Sequence, residues 1–419
     1  MRAVVRFFAC LLAACVAAPA FGAPVQLKFI VPSGATSETS RLYSNLVHEF
    51  EAQQPAIDVQ FLPLHNWDDV IDKVRLLPAD GRAAVFVAEV SETLELDRLG
   101  LIAPLGDLLA KYGNEKAFIA PLMPEFLGNS YCRNGKFCGP PFMRSTPVVL
   151  YNLEKLRAIG VDQDSLPANW SSFEAMLGKL QERSQQPPFC LGGDWYDYLF
   201  EAMVRQSGGT LMDLEHGKAT LATPEAIEAL AFWKRLKERH YLTRMNTWKA
   251  TLNGFVGGYC AVSYYSSGGL ETVRAKARFA WMADILPKNK NYAVPAGGGN
   301  LYVANNMSEA EQKAALKLIA FLYQPSVQAR ISASTGFFPA VGSAFAEPVL
   351  ASRYTREEAF IRVRGELKYA KPRLMGADNL RLRAILKQAI DRVLNDGMDP
   401  AASLRLAQRD ADRLAQQSR

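Results

Sequence analysis

The stretch PPFMRSTPVVLYN, residues 140–152, decides how the chain is read. Pro140 and Pro141 refuse a helix, because each lacks an amide donor and fixes φ. Arg144, Ser145 and Thr146 then supply a polar, hydroxyl-rich step, and Val148 to Tyr151 is a short β-prone run that Asn152 stops. The pattern predicts a strand that leaves one compact unit and opens the next. Polar groups on such a crossing face a cleft between two lobes, where small-molecule sites are common. An ordinary edge strand after a loop has the same composition, so the flanking sequence has to separate the two.

A chain of 419 residues is too long for one simple core and suits two or three domains. Its hydrophobic content of 49% and charged content of 21% are those of an ordinary soluble globular protein. The net charge of +6 is dispersed, with Lys and Arg alternating with Asp and Glu. There is no stripe of interleaved basic and aromatic residues, which argues against a nucleic-acid partner. At the N-terminus, Arg2 and Arg6 precede an apolar run from Phe7 to Ala18, too short to span a bilayer but suited to a secretory signal. Residues 1–22 are therefore expected to be a signal peptide, cleaved near Gly22 or Ala23. The competing expectation is a lipoprotein signal with Cys15 acylated as the anchor. No later run reaches membrane-spanning length, so the mature chain is expected in the periplasm, soluble or lipid-anchored.

Export to an oxidising compartment changes what the remaining cysteines mean. Cys132, Cys138, Cys190 and Cys260 permit three pairings. Asn134-Gly135 between the first two is a strong hairpin turn, so a local Cys132–Cys138 bridge is the simplest expectation, leaving Cys190 with Cys260. A metal site is poorly supported, because there is no CxxC pair and His48, His65, His216 and His240 are scattered. No cofactor is expected.

Val25 to Val31 reads as a strand, and Leu42, Leu46, Val47 and Phe50 share one face of a following helix. A strand at 59–64, a helix at 68–77 and a strand at 83–90 continue the alternation, which predicts a parallel sheet covered by helices on both faces. Ligands collect beyond the carboxyl ends of such strands, here at Ser33, Trp67 and Glu89. Past the crossing the chain turns more helical, at 170–183, 196–207 and 226–239. A buried strand at 259–265 ends in Ser266-Ser267-Gly268-Gly269, which suits either an anion-binding backbone or a plain helix cap. A strand at 279–286 is expected to carry the chain back to the first lobe. Gly297-Gly298-Gly299-Asn300 reads as a close-approach loop or a flexible turn before a strand at 301–304. A helix at 309–323 precedes Thr335-Gly336-Phe337-Phe338-Pro339, an irregular second crossing. Helices at 380–394 and 404–414 follow, the last as solvated cover. There is no GxSxG elbow, Walker-type phosphate loop, HExxH or Cys-His constellation. Carboxylate pairs such as Asp68-Asp69 or Glu89 with Glu92 carry no spacing signature, so a secreted hydrolase is a weaker alternative and no enzyme is expected.

Six segments in order, VAEV at 87–90, RSTPVVLYN at 144–152, SSGGL at 266–270, GGGNLYV at 297–303, TGFFP at 335–339 and LRAIL at 382–386, resemble the extracytoplasmic solute-binding proteins of ABC importers. The likeness covers nearly all of the mature chain and is strongest to members that bind glycerol 3-phosphate. It implies an α/β, two-lobed periplasmic-binding-protein fold of the Venus-flytrap kind, with lobes at 23–145 plus 284–333 and at 146–283 plus 334–419. It also implies a monomer that closes on one small phosphorylated-glycerol ligand and is received by the transmembrane permease subunits. Carried over by motif, the ligand residues are Trp67, Glu89, Ser145, Ser266, Gly298, Phe337 and Arg383. Arg383 would fork onto a phosphoryl group, Ser145, Ser266 and the Gly298 amide would complete its cradle, and Glu89 would accept from glycerol hydroxyls. The chain departs from the pattern at three places. Trp67 and Phe337 stand where those members have tyrosines, and Arg144 replaces a serine. Lost hydroxyls and gained aromatic surface suit a diester such as glycerophosphocholine, with Trp195 and Tyr196 as further candidate walls for its trimethylammonium. A sugar or oligosaccharide stacked on the aromatic faces is the alternative within the family.

Overall fold

The computed structural model describes residues 23–32, 38–77, 83–184, 186–213, 216–376 and 378–417. The expected signal peptide 1–22, with Cys15, and the strand-end residue Ser33 lie outside the described residues.

Two sheets organise the molecule. The first has six strands, in the order Ile57–Leu64, Val25–Pro32, Ala84–Glu89, Gly297–Ala304, Ile102–Ala103, with Pro141–Ser145 also pairing to Gly297–Ala304. The second has five, in the order Leu242–Met245, Phe189–Gly192, Val262–Ser266, Pro147–Asn152, Trp281–Ile285. The alternating β/α sequence before residue 90 does give parallel pairing of Val25–Pro32 with both neighbours. Neither sheet is wholly parallel, however. Gly297–Ala304 returns from the other half of the chain and inserts antiparallel between Ala84–Glu89 and the strands Ile102–Ala103 and Pro141–Ser145. In the second sheet Pro147–Asn152 runs antiparallel to both of its neighbours.

Each sheet carries its own core. Helix Glu38–Gln53 turns Tyr43, Leu46, Val47 and Phe50 inward, and these join Phe29, Val85, Phe86 and Val87. Around the second sheet, Val148 to Tyr151, Phe189, Leu191, Tyr264 and the apolar faces of helices Trp170–Ser184, Tyr196–Gln206 and Pro224–Glu238 close a larger core. Burial on this scale, at about 25 cal/mol per Å² of apolar surface, gives each sheet a reason to fold as a unit.

The stretch that opened the reading does cross. Pro141–Ser145 belongs to the first sheet, Pro147–Asn152 to the second, and Thr146 lies between them. Trp281–Ile285 is not the return path: it is the edge of the second sheet, paired to Pro147–Asn152. The return comes at Val294–Pro295, paired to Ala370–Lys371, and at Ala296, whose amide donates to the Lys371 carbonyl at 2.8 Å. The glycine run is not a loop either, because Gly297 to Asn300 lies within the strand Gly297–Ala304. The last helix, Pro400–Gln417, is more than solvated cover: Leu404, Ala407 and Ala411 enter the second core. Both expected disulfides are present, Cys132–Cys138 and Cys190–Cys260. The first closes a hairpin tip in which Gly135 has φ +77° and donates to the Cys132 carbonyl at 2.9 Å.

Candidate ligand-binding cleft

Three chain segments pass side by side between the two sheets: 144–147, 296–298 and 337–338. Gly297 stands opposite Ser145 and Gly298 opposite Arg144, while the Phe338 amide donates to the Arg144 carbonyl at 2.7 Å. Thr146 is held from the other side, its amide donating to Ser267 Oγ at 3.1 Å and its carbonyl accepting from the Ser267 amide at 2.9 Å. Gly298 has φ +92°, and a Cβ there would lie 1.8 Å from the Met143 carbonyl oxygen, so no side chain fits at this crossing.

The segments expected to meet do meet. Trp67 and Phe337 touch edge to face with ring centroids 6.4 Å apart. A Cβ on Gly299 would lie 2.7 Å from Trp67 Cζ3, and one on Gly268 would lie 2.9 Å from the Phe337 ring, so both rings rest directly on backbone. Ser266 Oγ accepts from the Gly268 amide at 3.1 Å, capping the short turn that leads into helix Leu270–Lys276. Ser145 Oγ is 3.5 Å from the Tyr198 hydroxyl, and the Tyr198 ring abuts Gly297. Trp195 packs on Tyr198 at 6.1 Å and on Trp248 at 5.8 Å, and Trp248 stacks on Tyr265 at 4.0 Å. Half-buried Trp67 and Phe337 thus stand on one side, and Trp195 with Trp248 on the other. Tyr196, by contrast, is fully buried within the second core and forms no wall.

The floor between them is charged. Arg383 donates through Nε to Asp197 Oδ2 at 2.8 Å, with its guanidinium 5.6 Å from the Trp195 ring. Arg373, wholly buried, donates through Nη1 to Glu89 Oε1 at 2.8 Å, through Nη2 to Asp197 Oδ2 at 2.8 Å, and through Nε to Glu201 Oε2 at 3.4 Å. Glu89 ends a strand of the first sheet, whereas Asp197 and Glu201 sit one turn apart on helix Tyr196–Gln206 of the second, so this one guanidinium ties the two halves together. Burial raises the Asp197 pKa, but the charges of Arg383 and Arg373 outweigh it and hold the carboxyl well below the usual range. Burial likewise works against the cations of Arg373 and Arg383, and their carboxylate partners more than reverse it. Glu92 is different. Burial first, and the Glu89 charge next, push its pKa well above the ordinary value, and neither oxygen has a hydrogen-bond partner.

The geometry bears on two of the carried-over residues, Glu89 and Arg383, and on Arg144. Glu89 is already engaged at both oxygens, Oε1 by Arg373 and Oε2 by the amide and hydroxyl of Ser91. Arg383 is already paired to a carboxylate. Arg144 does not add charge to the cleft. It is fully buried, donating through Nη1 to Asn300 Oδ1 at 2.8 Å and through Nη2 to the Ala296 carbonyl at 2.9 Å, and burial pushes its pKa down to about 10. With its own carbonyl bound to Phe338, Arg144 fastens the three crossings to one another.

Arg373, Asp197, Glu201, Tyr198 and Trp248 were not singled out from the sequence. Asp197 and Glu201 carried a signal: they are two acids at i and i+4 among the apolar and aromatic residues 196–204, and buried acids must be paired. Arg373, in an irregular stretch after Pro372, carried none. Two surface grooves, of about 260 and 1300 Å³, are lined by other residues, among them Lys155 and Tyr259 in the first and Tyr131, Met212 and Leu414 in the second. Neither holds a residue of the converging set.

A family model for the bacterial extracellular solute-binding proteins matches residues 45–358. The sn-glycerol-3-phosphate-binding periplasmic protein UgpB of Yersinia pseudotuberculosis is 23% identical over 51% of this chain and 51% of its own, so the match spans about half of that relative. The protein of the same name from Escherichia coli K12 is 22% identical over 77% of this chain and 75% of its own. Among solved structures, UgpB from Mycobacterium tuberculosis in complex with glycerophosphocholine superposes with a TM-score of 0.83 at 22% identity, covering 94% of this chain and 99% of that one. The GacH receptor of Streptomyces glaucescens, solved unliganded and with acarbose, gives a TM-score of 0.79 at 20% identity, covering 93% and 98%. The likeness to these structures gives the two-lobed α/β fold, and the matched family model establishes that the chain belongs to the bacterial extracellular solute-binding proteins.

Proposed function

We propose that the protein is the periplasmic substrate-binding component of an ABC importer that captures glycerol 3-phosphate or a glycerophosphodiester such as glycerophosphocholine. The lobes, expected at 23–145 with 284–333 and 146–283 with 334–419 and here taken with 284–295 moved to the second because Trp281–Ile285 belongs to its sheet, close on the ligand by a hinge motion at the crossings, and the closed form is offered to the permease. The observation that carries the reading is the pairing of two aromatic walls, Trp67 with Phe337 and Trp195 with Trp248, across a buried floor that holds Arg383, Asp197 and Glu89. Aromatic faces beside carboxylates suit a quaternary ammonium, and the hydroxyl and guanidinium groups suit a glycerol phosphate backbone. The protein catalyses nothing on this reading; the ligand leaves as it came.

A second reading within the family is a sugar stacked on the same rings, which the likeness to the acarbose-binding receptor favours. A panel of glycerophosphocholine, sn-glycerol 3-phosphate, maltose and maltotriose in thermal shift and calorimetry separates the two, since a ligand that binds only the native state raises its melting temperature. The glycerophosphate reading requires a shift from at least one of the first two compounds. A shift from the sugars alone overturns it.

A further inference from the structure

We propose that Asp197 sets the charge the cleft will accept: by engaging Arg383 it makes the site select a phosphodiester over a phosphomonoester dianion. The inference rests on the glycerophosphate reading above and sharpens its ligand class.

The floor neutralises itself. Asp197 Oδ2 accepts from Arg383 Nε and from Arg373 Nη2, both at 2.8 Å, while Glu89 and Glu201 take the rest of the Arg373 guanidinium. Glu201 is paired again by Arg205 at 2.9 Å. Three guanidiniums thus stand against three carboxylates, and no cation in the set is spare. The charge of Lys387, on the same helix as Arg383, is felt by Asp197 and by Asp194 alike.

The open corner of Arg383 faces acid as well. Its Nη1 is buried with no hydrogen-bond partner, and three carboxylate oxygens surround it just beyond bonding distance: Asp68 Oδ1 at 3.7 Å, Glu89 Oε2 at 4.0 Å and Glu92 Oε1 at 4.0 Å. A ligand hydroxyl accepts from Nη1 and donates to one of those oxygens, satisfying both sides. A phosphoryl oxygen has no proton to donate and meets the charges of Asp68 and Glu89 there, Glu92 being held toward its neutral form by burial. Arg383 therefore reads a glycerol hydroxyl, and the phosphate lies toward the Ser145 and Ser266 side of the cleft. A diester brings one negative charge, which a trimethylammonium on the same molecule cancels. A monoester dianion brings two into a floor with nothing free to balance them.

Asp197 acts through Arg383, so it is a positioning residue, and its test must move something that a structural role would not. A phosphomonoester passes from monoanion to dianion near pH 6, whereas a phosphodiester does not titrate there. Calorimetry of the mature protein with sn-glycerol 3-phosphate and with glycerophosphocholine, at about pH 5 and about pH 8, reads the difference directly. The expected result is a monoester Kd about ten-fold or more weaker at the higher pH, with the diester unchanged, since charges a few ångström apart in a partly buried site interact by several times RT. Asp197→Asn should shrink the monoester-to-diester gap at pH 8, and Asp197→Glu should restore it. A monoester that binds equally well at both pH values overturns the inference, as does an Asp197→Asn protein with an unchanged ratio. Should Asp197→Asn fail to fold, the wild-type pH pair still decides. If neither compound gives heat at either pH, the glycerophosphate reading itself has failed, and the inference with it.

Discussion

Replacing Arg373 by methionine removes a side chain hydrogen-bonded to carboxylates from both sheets. In the native protein it touches Glu89, Asp197 and Glu201, and all four groups are buried. Loss of the cation leaves Glu201 with Arg205, Asp197 with Arg383, and Glu89 with only the Ser91 hydrogen bonds and a guanidinium 4.0 Å away. Breaking a buried pair by removing one partner typically costs roughly 3–5 kcal/mol, because the survivor keeps its desolvation penalty. For unfolding units of lobe size this lowers the melting temperature by roughly 10 °C. The sign of the pH dependence follows from the orphaned carboxyls. Protonation removes an unpaired buried charge, so the variant regains relative stability as pH falls. Urea unfolding at about pH 7.5 and about pH 5 should therefore show a larger deficit at the higher pH. The triple variant Arg373→Met, Glu89→Gln, Asp197→Asn should recover much of the loss. A deficit below about 1 kcal/mol at pH 7.5, or one equal at both pH values, would refute the assignment of this guanidinium as the counter-ion of the floor.

Glu92→Gln should raise the melting temperature at pH 8 and converge with wild type near pH 4. A carboxyl whose folded pKa is raised contributes stability below its unfolded pKa and loses it as pH rises, and the amide removes that loss; scanning calorimetry across pH checks it. Gly298→Ala should abolish ligand-induced stabilisation and lower the melting temperature, because the residue has φ +92° and the new Cβ meets the Met143 carbonyl; a thermal shift equal to wild type contradicts it. Removing the Cys190–Cys260 bridge, with a sequence separation of 70, should cost about 4 kcal/mol, against about 2 kcal/mol for Cys132–Cys138 with a separation of 6. Denaturant unfolding of the two double-alanine variants compares them.

Local chemistry made much of this molecule legible before its coordinates. The crossing at 140–152 was readable because Pro141, Thr146 and Pro147 interrupt what would otherwise be one strand, and the two pieces do join different sheets. The glycine run at Gly298 was readable as a close approach because backbone comes near a carbonyl only where no Cβ intervenes, whereas Phe337 was reached through the family resemblance and Trp67 through its place after the second strand. The sheets' mixed direction was not, since a strand's neighbours depend on pieces more than 200 residues away, as with Gly299 opposite Glu89. Nor was the partner of a charge. The sequence shows that Arg383 and Arg144 are cations, but only the fold shows that one is met by Asp197 and the other by Asn300 and a backbone carbonyl. A motif carries over a position, and the fold adds the partners that each of these charges already has.

That change bears on how the lobes move. Glu89 belongs to the first sheet, Asp197 and Glu201 to a helix on the second, and like carboxylates brought within a few ångström repel by several kcal/mol at the dielectric of a partly buried site. Arg373 lies between them, donating to all three, and offsets that repulsion. Its backbone is held to the first half by Asn129, whose Oδ1 accepts from the Arg373 amide at 2.8 Å, and Asn129 is held in turn by Asn300 Nδ2 at 2.9 Å. Asn300 also accepts from Arg144, so the counter-ion of the floor and the fastener of the crossings share one polar residue. A motion that parts the sheets must break either the bonds from Arg373 to Glu89 and Asn129 or those to Asp197 and Glu201, since the neighbouring Leu374 amide is itself bonded to Glu201 at 2.7 Å. On the closure proposed above, hinge and floor are joined through Asn300, and a ligand would favour the closed form to the extent that it satisfies there the buried atoms that lack a hydrogen-bond partner: Arg383 Nη1, Asp197 Oδ1 and both oxygens of Glu92.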